Sequence, residues 1–310
     1  MNRIFDPQSF ITVPDGTEVS AFLNATDASQ PNVPWGILGE MSIAAGRIGP
    51  GIESWVHVHP AVWQVTYVVS GMLRIRMKNA TAVEEYELLL RTGQAAVVEA
   101  GTLVQLRNTG DVPADVLYIV SPSYVFELED GKVVHDDAVL VVKSWEELAT
   151  PPRPQISAYE AVASRAESMR RLAASKGKKP PPLASQNVRS LMQKYDYLAP
   201  DGSEIRLLVD GEHGGFAHCV LPAGKVSVPV RHRTVEELWY VIEGQGEIWR
   251  RREEDERVDQ IRAGDSVSIT VGTSFQFRAA ASADLKLLLA TMPPWPGKQE
   301  AVSVQGKWGQ

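Results

Sequence analysis

His57 and His59 stand one residue apart in Trp55-Val56-His57-Val58-His59, and Gln64 follows shortly after. In an extended segment residues i and i+2 point to the same side, so the two imidazoles are presented together. Two imidazoles at that spacing can hold one transition-metal ion, as in centres built from two histidines and a carboxylate. Gln64 would add only a neutral carbonyl oxygen. An ion held this way keeps more Lewis acidity and is bound less tightly, with room for a bidentate diketone, catechol or hydroxy acid. The same pair can equally be polar lining of a metal-free pocket. Later in the chain His232 and Glu237 combine one imidazole with one carboxyl group. They can form a simple buried hydrogen-bonded pair, an acid–base dyad in which the carboxylate orients the imidazole, or a weak metal site if His218 faces the same way. Tyr67, shortly after Gln64, is a candidate proton donor, although an aromatic there also suits core packing.

These residues sit in a duplicated frame. Gly51-x5-His57-x-His59-x4-Gln64-x6-Gly71 returns, with every spacing kept, as Gly224-x5-Val230-x-His232-x4-Glu237-x6-Gly244. Each copy is followed by a second landmark, Gly93-x5-Glu99-x-Gly101 and Gly264-x5-Thr270-x-Gly272. A repeat this regular means two copies of one domain. Around both copies the chain runs in short segments rich in Val, Ile, Tyr and Thr, broken by Gly, Pro, Asn and Asp, such as 64–77, 85–90, 95–98 and 116–121. Such segments read as strands of a sandwich or barrel.

The spacing resembles the two-part motif of the cupins, G-x5-H-x-H-x3–4-E-x6-G followed by G-x5-P-x-G-x2-H-x3-N. The resemblance implies an all-β chain of two tandem jelly-roll barrels, a bicupin whose barrels pack face to face, with His57 and His59 inside the first. It also shows what has changed. The family's Glu falls on Gln64 and its last His on Val104; in the second copy the four ligand positions are Val230, His232, Glu237 and Phe275. The motif's Pro is replaced by Glu99 and Thr270, and its terminal Asn is kept only as Asn108. Gln105 and its counterpart Gln276 would reach the interior only through a bulge.

By this resemblance the expected function is an enzyme acting on a small oxygenated organic molecule. It would use a divalent metal at His57, His59 and Gln64, with Fe(II) foremost and Mn, Ni, Cu or Zn as alternatives, and dioxygenase-like chemistry favoured. Two other readings stay open. One is a metal-free epimerase, isomerase or cyclase, with His57, His59 or His232 as its base and a tyrosine such as Tyr67 as its acid; if His232 and Glu237 form its dyad, Phe275, Phe277, Trp239 and Trp249 line the pocket. The other is a non-catalytic binder of a small ligand.

The expected organisation is an N-terminal barrel over 1–150, a helical and Pro-rich linker over 151–186, and a C-terminal barrel with a Pro/Trp-rich tail over 187–310. Ser144 to Glu147 reads as a capped helical turn, and Ser157-x-x-Glu160 as a capping box opening a helix at about 158–175. The mixed-charge run Arg250 to Arg257 reads as an exposed hairpin tip, His135 as surface, and the tail as packing on a barrel wall or a neighbour. A formal charge of −7 and a pI near 5.5 argue against a nucleic-acid partner. One cysteine, Cys219, allows no internal disulfide. With no signal-like N-terminus and no apolar stretch of membrane-spanning length, the expected setting is the cytoplasm. The expected partner is a small-molecule substrate, with a homodimer possible.

Overall fold

A computed structural model describes residues 10–23, 41–59, 62–78, 85–121, 127–129, 132–134, 139–142, 144–145, 189–211 and 214–309. The expected helix and its linker lie outside these residues, as do His135 and the second half of the expected turn at 144–147. Among the described residues the architecture is all-β, with one short 3-10 turn at Lys298–Glu300.

Each half is a pair of facing antiparallel sheets. The first half sets a seven-stranded sheet, in the order Ile11–Thr12, Glu18–Leu23, Ser42–Ile48, Ala114–Ser121, Trp63–Ser70, Gln94–Val98 and Arg189–Ser190, against a five-stranded one. The latter runs Leu140–Val142, Val56–Val58, Leu103–Asn108, Met72–Lys78 and Tyr86–Arg91. The second half repeats the plan. Its six-stranded sheet runs Tyr197–Leu198, Glu204–Gly211, Gly214–Leu221, Leu285–Met292, Glu236–Glu243 and Ser266–Ile269. The facing five strands are Asp255–Arg262, Gln245–Arg252, Ser274–Ala279, Val230–His232 and Ala301–Ser303. Arg189 and Ser190, near the start of the expected second barrel, pair instead with Ala95 and Gln94 of the first.

The motif glycines make this possible. Gly71 and Gly244 close the tight turn after the motif strand at φ 86° and 85°, a left-handed conformation that costs other residues. A Cβ on Gly71 would stand 2.9 Å from the Ala114 Cα, and one on Gly244 would stand 2.2 Å from the Asp284 carbonyl oxygen.

Period-2 alternation sorts most of the buried side chains into three cores, beside a smaller cluster of Val56, Val58 and Leu103. Leu73, Ile75, Val98, Val104, Leu106 and Val116 fill the first barrel. Trp239, Val241, Ile248, Phe275, Phe277 and Leu287 fill the second. A third core lies between the barrels, where Trp63, Val65, Tyr67, Leu117 and Ile119 meet Phe216, Leu238, Leu288, Ala290 and Met292. The barrels therefore pack through the outer faces of their larger sheets.

The hairpin at Arg250 corrects the sequence reading. Its tip does turn at Glu253, φ 53°, but the Arg250 side chain is fully buried. It donates to Asp259 at 2.7 Å and to the Ser268 carbonyl at 2.8 Å. The tail packs as expected on a barrel wall: Ala301–Ser303 pairs with Val230–His232.

Candidate functional site

In the first barrel the strand Val56–Val58 carries His57 between Val141 and Val104, its cross-strand neighbours on either side. His57 and His59 are buried, 4% and 8% exposed, with ring centroids 5.4 Å apart. His57 Nδ1 lies 3.1 Å from the Trp55 carbonyl oxygen and 3.4 Å from Asp15 Oδ2. Both neighbours are acceptors, so Nδ1 carries the proton and Nε2 is the ring nitrogen left to meet a ligand. Gln64 is buried and donates through Nε2 to Thr66 Oγ1 at 3.2 Å.

A resident metal can be tested on these donors. The anchoring of His57 Nδ1 by a carbonyl and a carboxylate is how metal-ligating histidines are oriented. The rest of the set does not fit. Val104, in register with His57, closes one ligand position with an apolar side chain, and Gln64 offers an amide. No cluster of three His, Cys, Asp or Glu side chains suited to an ion occurs among the described residues.

Tyr67 is not brought to this site. It alternates away from Gln64 into the core between the barrels, against Phe216 with ring centroids 6.0 Å apart, and burial pushes its phenol up to about 12. Tyr118 does enter the first barrel, in the slot left by Gly46; its buried hydroxyl has no hydrogen-bond partner. Gln105 and Gln276 stay on the outside, since the strand register runs through without a bulge. Gln105 ties Ser54 to the Trp145 indole, and Gln276 ties Ser227 to the backbone of Lys307 and Trp308.

The second barrel holds a partly open chamber of about 360 Å³. Its walls are mainly apolar: Trp239, Phe275, Phe277 and Leu289 from the strands, and Trp295 from the tail. Trp249, expected among them, lies elsewhere, with the Arg251 guanidinium over its ring. His218 faces away from the chamber, toward Arg206 and Leu288. Burial, then the Arg206 and Lys286 charges, depress its imidazole to about 4.

Into this chamber project His232 and Glu237, each 5% exposed. His232 is boxed edge-on by Phe275 and Trp295, both with centroids 5.1 Å away. Its Nδ1 lies 3.8 Å from Glu237 Oε1 and has no hydrogen-bond partner. The arrangement in which the carboxylate orients the imidazole, one of three that the sequence leaves open, is therefore not formed. Glu237 is held instead by Trp239, whose Nε1 donates to Oε2 at 2.8 Å. Desolvation disfavours the charged form of each group: it raises the Glu237 carboxyl to about 8 and lowers the His232 imidazole to about 3. At neutral pH both are neutral, an acid and an unprotonated base side by side. Asp201 also lines the chamber, and sequence reasoning missed it.

The cupin domain family matches residues 45–120 and again 217–291. The chain is a bicupin. By sequence it is similar to the Uncharacterized protein MJ1618 of Methanocaldococcus jannaschii, 29% identical over 117 residues, which are 35% of this chain and 90% of that protein. Among solved structures the bicupin is similar to the oxalate decarboxylase of Lactobacillus farciminis in its formate complex, with 14% identity, a TM-score of 0.64, and 98% and 89% of the two chains covered. It is similar also to an 11S globulin from Wrightia tinctoria described with an auxin binding site, with 10% identity, a TM-score of 0.64, and 97% and 84% coverage. A vicilin from Capsicum annuum gives 14% identity, a TM-score of 0.62, and 99% and 90% coverage. At these identities the likeness is one of fold, and a decarboxylase, an 11S globulin and a vicilin share it.

Proposed function

We propose that this bicupin binds a small, largely apolar organic molecule inside its C-terminal barrel and moves a proton on it, in the manner of an isomerase or epimerase. His232 is the base and Glu237 the acid. The observation that supports this reading is the pairing, on the wall of one chamber, of an imidazole that burial keeps neutral with a carboxyl group that burial keeps protonated. An imidazole depressed to about 3 is a poor base by itself. When Glu237 gives its proton to a substrate oxygen, however, a carboxylate appears 3.8 Å from His232 Nδ1, and that charge stabilises the imidazolium forming there. Donation and abstraction thus assist each other, which suits proton removal beside a carbonyl whose oxygen is protonated in the same event.

The reaction is tested by holding the protein in D2O with small ketones, β-dicarbonyls and hydroxy acids and reading deuterium entry at the carbon beside the carbonyl by NMR. Exchange should fall about 100-fold or more in His232→Ala and in Glu237→Gln. No exchange across the panel, or exchange indifferent to both substitutions, rejects the reading and leaves a non-catalytic binder.

A divalent ion at His57, His59 and Gln64, with oxygenase chemistry, is the second reading. It is favoured by the anchored His57 Nδ1 and opposed by the amide of Gln64 and by Val104, so no step is derived through a metal. The buried single cysteine suits a reducing cytoplasm, where we place the protein.

A further inference from the structure

The two halves share a repeat outside the motifs: Pro14-Asp15-Gly16-Thr17-Glu18 and Pro200-Asp201-Gly202-Ser203-Glu204. The turns are built alike. Asp15 Oδ1 accepts from N and Oγ1 of Thr17 at 2.9 and 2.8 Å; Asp201 Oδ1 accepts from N and Oγ of Ser203 at 2.9 and 2.6 Å. Trp55 N donates to the Asp15 carbonyl at 2.8 Å, and its counterpart Val228 N donates to the Asp201 carbonyl at 2.7 Å. Each turn hangs at the same place on its barrel, and each leaves Oδ2 uncommitted to the turn. In the first barrel that oxygen faces the imidazole N–H of His57 at 3.4 Å. In the second barrel the residue in the place of His57 is Val230, which has no polar atom to offer. There Asp201 and Val230 are both walls of the chamber. A second polar group is also waiting: His232 Nδ1, on a side chain 5% exposed, lines the same space without a partner.

We propose that the molecule filling the C-terminal chamber carries a ring N–H, as an azole or similar planar nitrogen heterocycle does, and that this N–H meets Asp201 Oδ2 as His57 meets Asp15. The proposal rests on the chamber reading above and names the class of molecule that the chamber takes. The flat faces of Trp239, Phe275 and Trp295 suit a planar ring, and the carboxyl group of Asp201 on the chamber wall can accept from a ligand N–H.

The intact protein is titrated by calorimetry with benzimidazole and with 1-methylbenzimidazole, which has the same shape but no N–H. Benzimidazole should bind at least tenfold more tightly, and in Asp201→Asn the preference should shrink below threefold. Should Asp201→Asn fail to fold, the comparison on the parent protein alone decides. Equal affinities, no binding of either compound at millimolar concentration, or a preference that survives in Asp201→Asn overturns the proposal. Losing the N–H preference while His232-dependent deuterium exchange persists removes the heterocycle and leaves proton transfer standing. Losing exchange while the preference persists does the reverse.

Discussion

Glu237 and His232 contribute to stability with opposite pH dependence. The folded value of Glu237, about 8, lies above its ordinary 4.5. The folded chain therefore keeps a proton that the unfolded chain releases, so this contribution is fully present below about 4.5 and is lost as pH rises through 8. His232, about 3 against an ordinary 6.5, refuses a proton that the unfolded chain takes, so stability falls as pH drops below 6.5 toward 3. Glu237→Gln should leave the parent's stability little changed near pH 5. At pH 9 it should raise stability on the order of a few kcal/mol, read from denaturant midpoints at the two pH values. Tyr67→Phe should leave deuterium exchange within about twofold of the parent, because the phenol sits between the barrels. Protein purified without a metal-binding tag should carry well under one equivalent of transition metal, unchanged in His57→Ala. A full equivalent that the variant loses would restore the metal centre. At this scale the sequence was legible where side chains follow the duplicated motif, as for His57, His59, His232 and Glu237. Tyr67 was misplaced although simple alternation from Gln64 turns it outward. Asp15 and Asp201 were missed although the repeated Pro-Asp-Gly signals a turn, because a turn aspartate reads as solvated until the fold closes over it.

The elements around the chamber are held by backbone geometry and by one buried latch. Gly244→Ala would force a Cβ against the Asp284 carbonyl at a left-handed φ and should cost at least about 2 kcal/mol, measured by urea unfolding. Glu300 is 2% exposed and accepts hydrogen bonds from Thr234 N, Thr234 Oγ1 and Val235 N. It thereby pins the tail that brings Trp295, Gly297 and Lys298 to the chamber. Glu300→Ala should cost about 1–3 kcal/mol and raise amide exchange first at Thr234 and Val235, the measurement that separates a local loosening from global loss. Strand identity was readable from β-branched runs and turn glycines. Arg250 was not, because a mixed-charge run reads as solvated. What buries it is a salt bridge to Asp259 and a carbonyl on another strand, neither visible in one dimension. The chamber was hidden for a related reason. Val230 and Phe275 read as lost ligands, and only packing shows that they are walls.

At the scale of the whole molecule, the bicupin plan follows from the duplication and the face-to-face packing from the third core. Leu238 is 1% exposed in that core. Leu238→Ala should cost about 2–5 kcal/mol and lower the unfolding midpoint of both barrels together, as seen by amide exchange on either side. Two separable transitions would show that the barrels fold independently. The chain carries its own dimer. Each barrel's larger sheet presents an apolar face that, on a free single barrel, would be open to any similar face in solution. Fusion places the sibling barrel beside it at an effective concentration on the order of millimolar, so the face is closed within the same chain before a stranger can reach it. Separated from its sibling, either half should self-associate or seek the other, and the two halves supplied as separate polypeptides should find each other without the covalent link.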